Sequence, residues 1–180
     1  AGWRVVMMGM VTPIAIGISV VAVTGANYGG RRYENLKIIQ NYSAKFGLAI
    51  VSIISIAIFI FAPYISYVFS YGPGQDVEQL RNLITDFLRV TCLFYLSIPI
   101  GISATSIFQG IGKGFYSLTF TTLRLLILEV IFSYTLAIPL GFGQYGVWAG
   151  IVLGNGFGAI IAFIYSRYYL NNLIKTKTKN

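Results

Sequence analysis

The 180-residue chain contains no histidine, one cysteine and only five Asp or Glu, and just 10% of it is charged. These gaps exclude a good deal of chemistry. Without histidine, paired acids or a second cysteine there is no material for a zinc site, a Cys/His or Ser/His catalytic unit, or a disulfide framework. An enzyme is therefore not expected, and neither is an organic cofactor. Cys92 lies in the apolar run TCLFYL, where a thiol behaves as a small buried hydrophobe. The scarcity of charge excludes more. Soluble domains carry about 25% charged residues, whereas this chain is 56% hydrophobic and 16% aromatic. So little polar surface cannot coat a globule in water. Soluble, disordered and collagen-like readings fall together.

What is present is a series of long uncharged runs. Val5 to Ala26, Phe46 to Tyr71 and Val90 to Gly112 span 22, 26 and 23 residues without a charge. Each exceeds the roughly 20 residues that cross a bilayer core. From Val130 to Ser166 there are 37, too many for one helix, and Gly141-Phe142-Gly143-Gln144-Tyr145-Gly146 divides them as a turn. The pattern predicts an all-α, polytopic membrane bundle of five transmembrane helices. The spans are about 5–27, 46–70, 82–110, 116–139 and 146–168, within a bundle over 1–170 and ahead of a basic tail over 171–180. Gln79, Asn82, Asp86 and Arg89 recur at intervals of three and four, giving the third helix a water-facing start.

The net charge of +8 is explained by where the cations fall. Arg31, Arg32, Lys37, Lys45, Lys113, Arg167, Lys175, Lys177 and Lys179 share one side of the membrane, leaving Arg4 and Arg81 as loop charges of the other. Lys and Arg in short loops favour the cytoplasm, so the carboxy terminus is expected there, in a plasma or inner membrane. Membrane headgroups, and not nucleic acid, are the partners of the Lys175-Thr-Lys177-Thr-Lys179 tail. An odd number of spans, an external first residue and no initiator Met suggest the end of a longer chain.

Small residues are placed in stripes. Gly146, Gly150, Gly154 and Gly158 recur every four residues, and Gly9, Gly17 and Gly25 every eight. In lipid such stripes let helix backbones approach closely. Pro13, Pro63 and Pro99 fall within spans and Pro139 closes one, each removing a backbone donor. Kinked, glycine-rich helices suit a transporter that opens alternately to two sides.

Glu129 and Arg124 are the charges well inside an apolar span. An intramembrane charge costs about 2.5–3.5 kcal/mol on insertion scales and normally faces a bundle or cavity. Five steps of an α-helix place the two side chains about 140° apart, which argues against pairing within one helix. A carboxyl beside Thr122 and Ser133 in low dielectric is a candidate proton carrier; the alternative is an interhelical hydrogen bond or ion pair. Asp86 and Arg89 form a plausible local pair. Asn27, Gln109 and Asn155 either bond across helices or line a polar path, and Tyr95, Phe108, Phe157 and Tyr165 offer aromatic contact for an organic cation.

With these residues in place, the chain resembles the MATE (multidrug and toxic compound extrusion) transporters. Thr24-Gly25-Ala26-Asn27-Tyr28-Gly29-Gly30 followed by Arg31-Arg32 is similar to the family's G-x-N-x-G-A signature and basic loop. Phe108-Gln109-Gly110-Ile111-Gly112 is similar to its F-Q-G-x-G, and Arg124 sits where the family often has an Arg. Gly143-Gln144-Tyr145-Gly146-Val147-Trp148-Ala149-Gly150 is similar to its G-x-x-G-V-W-x-G junction. The resemblance implies helices two to six of a six-helix lobe, carboxy-terminal by its tail, with Gly25, Gly29, Gly110, Gly112, Gly146 and Trp148 as structural motif positions. It also implies export of small organic, often cationic, compounds in exchange for H+ or Na+, together with an amino-terminal lobe. Where some members carry an Asp in the lobe's fourth helix, this chain has Ser97-Ile98-Pro99-Ile100 and no acid. A lipid-linked saccharide flippase and a non-transporting scaffold subunit are the alternatives; the first is expected to need more Arg and Lys in its cavity than Arg89 and Arg124.

Overall fold

A computed structural model describes residues 2–70 and 75–177, apart from the side chains of 2–6, 8, 75 and 76. The Arg4 side chain and Lys179 lie outside the described residues. Five helices account for the fold: α1 (Gly2–Gly29), α2 (Asn35–Phe69), α3 (Gln75–Gly110), α4 (Gly114–Ala137) and α5 (Gly143–Lys177). All five are long and apolar enough to cross a membrane.

All five helices begin ahead of the expected spans and α1 and α5 also end beyond them, because a helix does not stop where its apolar stretch stops, whereas α2 and α4 end one and two residues short. The 35 residues of α2 make a rod of about 52 Å, against about 30 Å of hydrocarbon. Its first turns, from Asn35 to Lys45, therefore stand beyond the apolar run. At the other end, the segment expected as a tail from 171 onward continues α5 as far as Lys177. Lys175 and Lys177 fall in that last turn, where the negative end of the helix dipole favours cations. Pro13, Pro63 and Pro99 sit inside continuous helices.

α3 is the hub, packed against α1, α2 and α5, with α4 laid along α5 and touching α3. Its core contacts form three clusters along its length. Ile84 and Leu88 meet Ala62, Phe94, Tyr95 and Ile98 meet Val51, and Ile107, Phe108 and Ile111 meet Val20, Leu36 and Leu170. Many large apolar side chains of the outer helices remain exposed, such as Ile18, Ile53, Leu126 and Ile164, as expected of surfaces whose solvent is lipid. The glycine stripe of α1 is what lets it reach the hub. A Cβ at Gly17 would stand 2.7 Å from Ile102 Cγ2, and one at Gly25 would stand 3.4 Å from the Gly110 carbonyl.

Two helix ends carry the same closure. After α3, Lys113 N–H donates to Phe108 O and Gly112 N–H to Gln109 O, with Gly112 at φ 76°. After α1, Arg32 N–H donates to Asn27 O and Arg31 N–H to Tyr28 O, with Arg31 at φ 57°. Both are Schellman motifs, which satisfy the orphan carbonyls of a helix through one left-handed residue. The α4 to α5 turn uses Gly141 and Gly143, at φ 70° and 51°.

Candidate functional site

Three of the five polar residues singled out in the sequence converge: Arg124 and Glu129 of α4 and Asn155 of α5. α4 is α-helical except over Leu123–Leu128, which forms a π-helical turn, and Glu129 N–H closes it by donating to Arg124 O. That bond corrects the expected 140° separation. The angle assumed 100° per residue, but in a π turn the residue stacked over position i is i+5. Arg124 and Glu129 therefore lie on one face and interact electrostatically.

Arg124 is buried, at 8% exposure, in a cradle built from glycine. A methyl at Gly101 of α3 would collide with its guanidinium, and one at Gly158 of α5 would come within 2.7 Å of its Cγ. Its Nε and Nη1 are buried without a hydrogen-bond partner among the described residues. The Glu129 carboxyl meets the side chain of Asn155, itself 1% exposed. Behind it, the Ser97 hydroxyl of α3 donates to Asn155 Oδ1 at 3.5 Å. Ser97 also stands in the wall of a cavity of about 340 Å³ between α3 and α5, with Ile100, Gly156 and Phe157. A polar line thus runs from that cavity to the charge couple inside α4.

The other two amides sit at helix ends. Asn27 accepts from Asn35 Nδ2 at 2.9 Å and donates to Val23 O, tying α1 to the start of α2. Gln109 Nε2 donates to Ser117 Oγ at 2.9 Å, bridging the turn from α3 to α4. The motif glycines have separate duties: Gly110 faces Thr24 across the α1–α3 contact, Gly146 lies against the Leu136–Ala137 backbone, and Gly29 has open space. Trp148 meets Phe87 and Tyr145 edge to face at 5.3 and 5.2 Å.

The proposed aromatic contacts are dispersed. Phe108 and Tyr165 join Tyr116, Phe120 and Tyr169 in one ring cluster, Phe157 stacks on Phe132 and Tyr95 packs with Phe94. Asp86 and Arg89 also go separate ways: Asp86 accepts from the Tyr145 hydroxyl at 3.0 Å, and Arg89 lies over the Phe59 ring at 5.5 Å. Sequence reasoning missed Gly101 as part of the Arg124 cradle, and Ser97 as more than a missing acid. The signal available was the spacing of five between the two intramembrane charges, which makes sense only if the helix widens between them.

Four apolar helices packed around a fifth, all five long and apolar enough to cross a membrane, with Arg124 and Glu129 set inside the span of α4, define a multi-pass membrane protein. A family model described as MatE matches residues 1–135, and the chain belongs to that family. Among curated relatives, a probable multidrug resistance protein NorM of Bacillus cereus is 25% identical over 153 residues, covering 85% of this chain and 33% of that protein. Its namesake in Bacillus licheniformis is 22% identical over 170 residues, covering 92% and 36%. Outward-facing and inward-facing structures of a multidrug resistance MATE family transporter superpose with TM-scores of 0.90 and 0.91 at 33% and 34% identity. Each match covers 97% of this chain, and 38% and 39% of the respective neighbour. A MOP superfamily transporter from Pyrococcus furiosus gives 0.90 at 33% identity, covering 95% of this chain and 37% of that one. The chain thus spans about a third of the length of the curated relatives it matches.

Proposed function

We propose that the chain is part of a secondary active efflux transporter that exports small organic, often cationic, compounds by antiport with H+ or Na+. Its five helices act as helices two to six of one six-helix lobe and supply one wall of a central cavity, the other lobe supplying the facing wall. The observation that carries this reading is the near-equal superposition on an outward-facing and an inward-facing transporter. A unit that fits both states equally well moves between them as a body, as alternating access by rocking lobes requires. The cation distribution supports a cytoplasmic carboxy terminus in the plasma or inner membrane.

The test is reconstitution of the complete transporter that includes this chain into proteoliposomes loaded with a fluorescent organic cation. Imposed H+ and Na+ gradients, applied separately, are expected to drive export with one of them. The 180-residue chain alone is expected not to transport, because it provides one wall only. Export driven by the 180 residues alone overturns the reading, as does a complete protein that responds to neither gradient with any cation tried.

A further inference from the structure

The strongest unexplained feature of the molecule is the charge couple of α4. A guanidinium more than nine-tenths buried, with two nitrogens unpartnered among the described residues, is costly unless a counter-charge sits nearby. Glu129 is the carboxylate that interacts with it through space, with no ion pair within 4.0 Å among the described residues, and the π-type backbone bond sets the two residues on one face of α4. Two contacts fix Glu129 in turn. Gly154 lies flat against its Cα, where a Cβ would stand only 2.6 Å away, and Asn155 meets its carboxyl. From α5 the groups offered to Glu129 are thus Gly154 and Asn155, from α3 Ser97 stands behind Asn155, and on its own helix Arg124 faces it. Among these described groups the only charges are Arg124 and Glu129 themselves.

We infer that Glu129 is the proton-binding group of this lobe, and that Arg124, held across the π turn, is a positioning residue that supplies its fixed counter-charge. The inference rests on the transporter reading. In the proton-binding step an O–H bond forms on a Glu129 carboxylate oxygen, and the couple passes from net zero to net +1; no electrons move. With Glu129 ionised, Arg124 is compensated and α4 sits tightly on α5. With Glu129 protonated, Arg124 is an uncompensated charge in apolar surroundings, so packing that admits water or another acceptor to Nε and Nη1 is favoured. Proton occupancy is in this way converted into a preference for helix arrangement. The donor set selects H+ over Na+. A hard cation needs a shell of several oxygen ligands, whereas here one carboxylate shares its surroundings with a guanidinium. A proton needs a single lone pair. Ser97, the one polar side chain in the wall of an otherwise apolar cavity, stands beside Asn155 and so connects that cavity to Glu129.

The complete transporter, reconstituted with an internal pH dye and a fluorescent cation outside, tests this. Wild type is expected to move protons with substrate and to show a pH-dependent rate. E129Q is expected to lose substrate-linked proton flux and the pH dependence, and E129D to retain both. R124Q is expected to displace the midpoint of the profile toward higher pH by about one unit or more, since a carboxyl without its cationic neighbour holds a proton more readily. The double variant R124Q/E129Q is expected to match E129Q. Should E129Q fail to assemble, N155A, which keeps both charges, is expected to displace the profile. Wild-type transport with E129Q unchanged in flux and profile overturns the inference, as does a profile unmoved by R124Q and N155A. Absence of wild-type transport of any cation under either ion gradient overturns the transporter reading itself, a distinguishable result.

Discussion

Gly154→Ala probes the contact that holds the charge couple in place. A Cβ there would stand 2.6 Å from Glu129 Cα and 2.7 Å from Glu129 N, backbone atoms that cannot rotate away. Ordinary contact begins near 3.4 Å, so α4 and α5 must part by about 0.8 Å. A radial gap of about 0.5–1 Å forfeits a quarter to a half of the dispersion well across the contact, and overpacking of this kind costs about 1–3 kcal/mol. Helix propensity works the other way, favouring Ala over Gly by up to about 1 kcal/mol. The control is Gly156→Ala on the same helix, where an added Cβ meets nothing within 4 Å. Both substitutions change propensity equally, so their difference isolates packing. At about 2–4 °C per kcal/mol for a chain of this size, G154A is expected to unfold roughly 2–12 °C below G156A. Cys92, a buried free thiol and the only cysteine of the chain, is a built-in reporter: a thiol-reactive fluorogenic dye in detergent reads its exposure on heating. Equal midpoints for the two variants would refute direct backbone contact between α4 and α5.

Arg31→Gly relieves a left-handed residue that costs about 1–2 kcal/mol with a side chain, partly offset by the greater freedom of glycine in the unfolded chain, about 0.5–1 kcal/mol. A small rise in melting midpoint is expected by the same dye assay. Gly112→Ala, at φ 76°, places a side chain in the same strained region and is expected to lower the midpoint, at a cost of about 1–2 kcal/mol. Gln109→Ala removes the donor to Ser117 Oγ, a hydroxyl of a residue only 3% exposed, and is expected to cost about 1 kcal/mol while leaving the proton response intact. Deleting Leu126 from the π turn restores α geometry and turns the i, i+5 pair into i, i+4, which also share a face. Unchanged helix content by circular dichroism and a retained pH profile are the expected results.

Much of this architecture was legible because the bilayer reads sequence coarsely. The uncharged runs, the Gly141–Gly146 break and the four-residue glycine stripe correspond to physical demands that composition alone imposes: span length, a turn, and close backbone approach. The stripe in particular needs no tertiary knowledge, and Gly146, Gly150 and Gly154 each lie against backbone atoms of α4. Helix ends were less legible. A hydropathy run marks where an apolar stretch stops, and α2 and α5 are helical beyond theirs. Asn27 and Gln109 illustrate the same limit. An amide at the end of an apolar run is equally consistent with a substrate path and with a helix-end tie, and the ties to Asn35 and Ser117 become visible only in the fold. The π turn lay beyond any periodicity argument, since one extra residue in one turn leaves the hydrophobic pattern on either side intact.

That extra residue and the glycine stripe belong to one arrangement. If the same residues were wound as regular α-helix, Arg124 and Glu129 would point some 140° apart and the guanidinium would have no carboxylate on its own face of α4. Without glycine at 154, α4 could not approach α5 closely enough for Asn155 to meet Glu129, and without glycine at 101 and 158 the Arg124 side chain would not fit between α3 and α5. Each feature alone admits a purely structural account. Together they place two opposite charges and one amide at a junction of three helices. A bundle selected only for packing would be expected to fill this junction with apolar side chains, since a buried guanidinium with nitrogens unpartnered among the described residues is costly. The retention of charge where packing does not require it is the physical reason to look for ion coupling at Glu129.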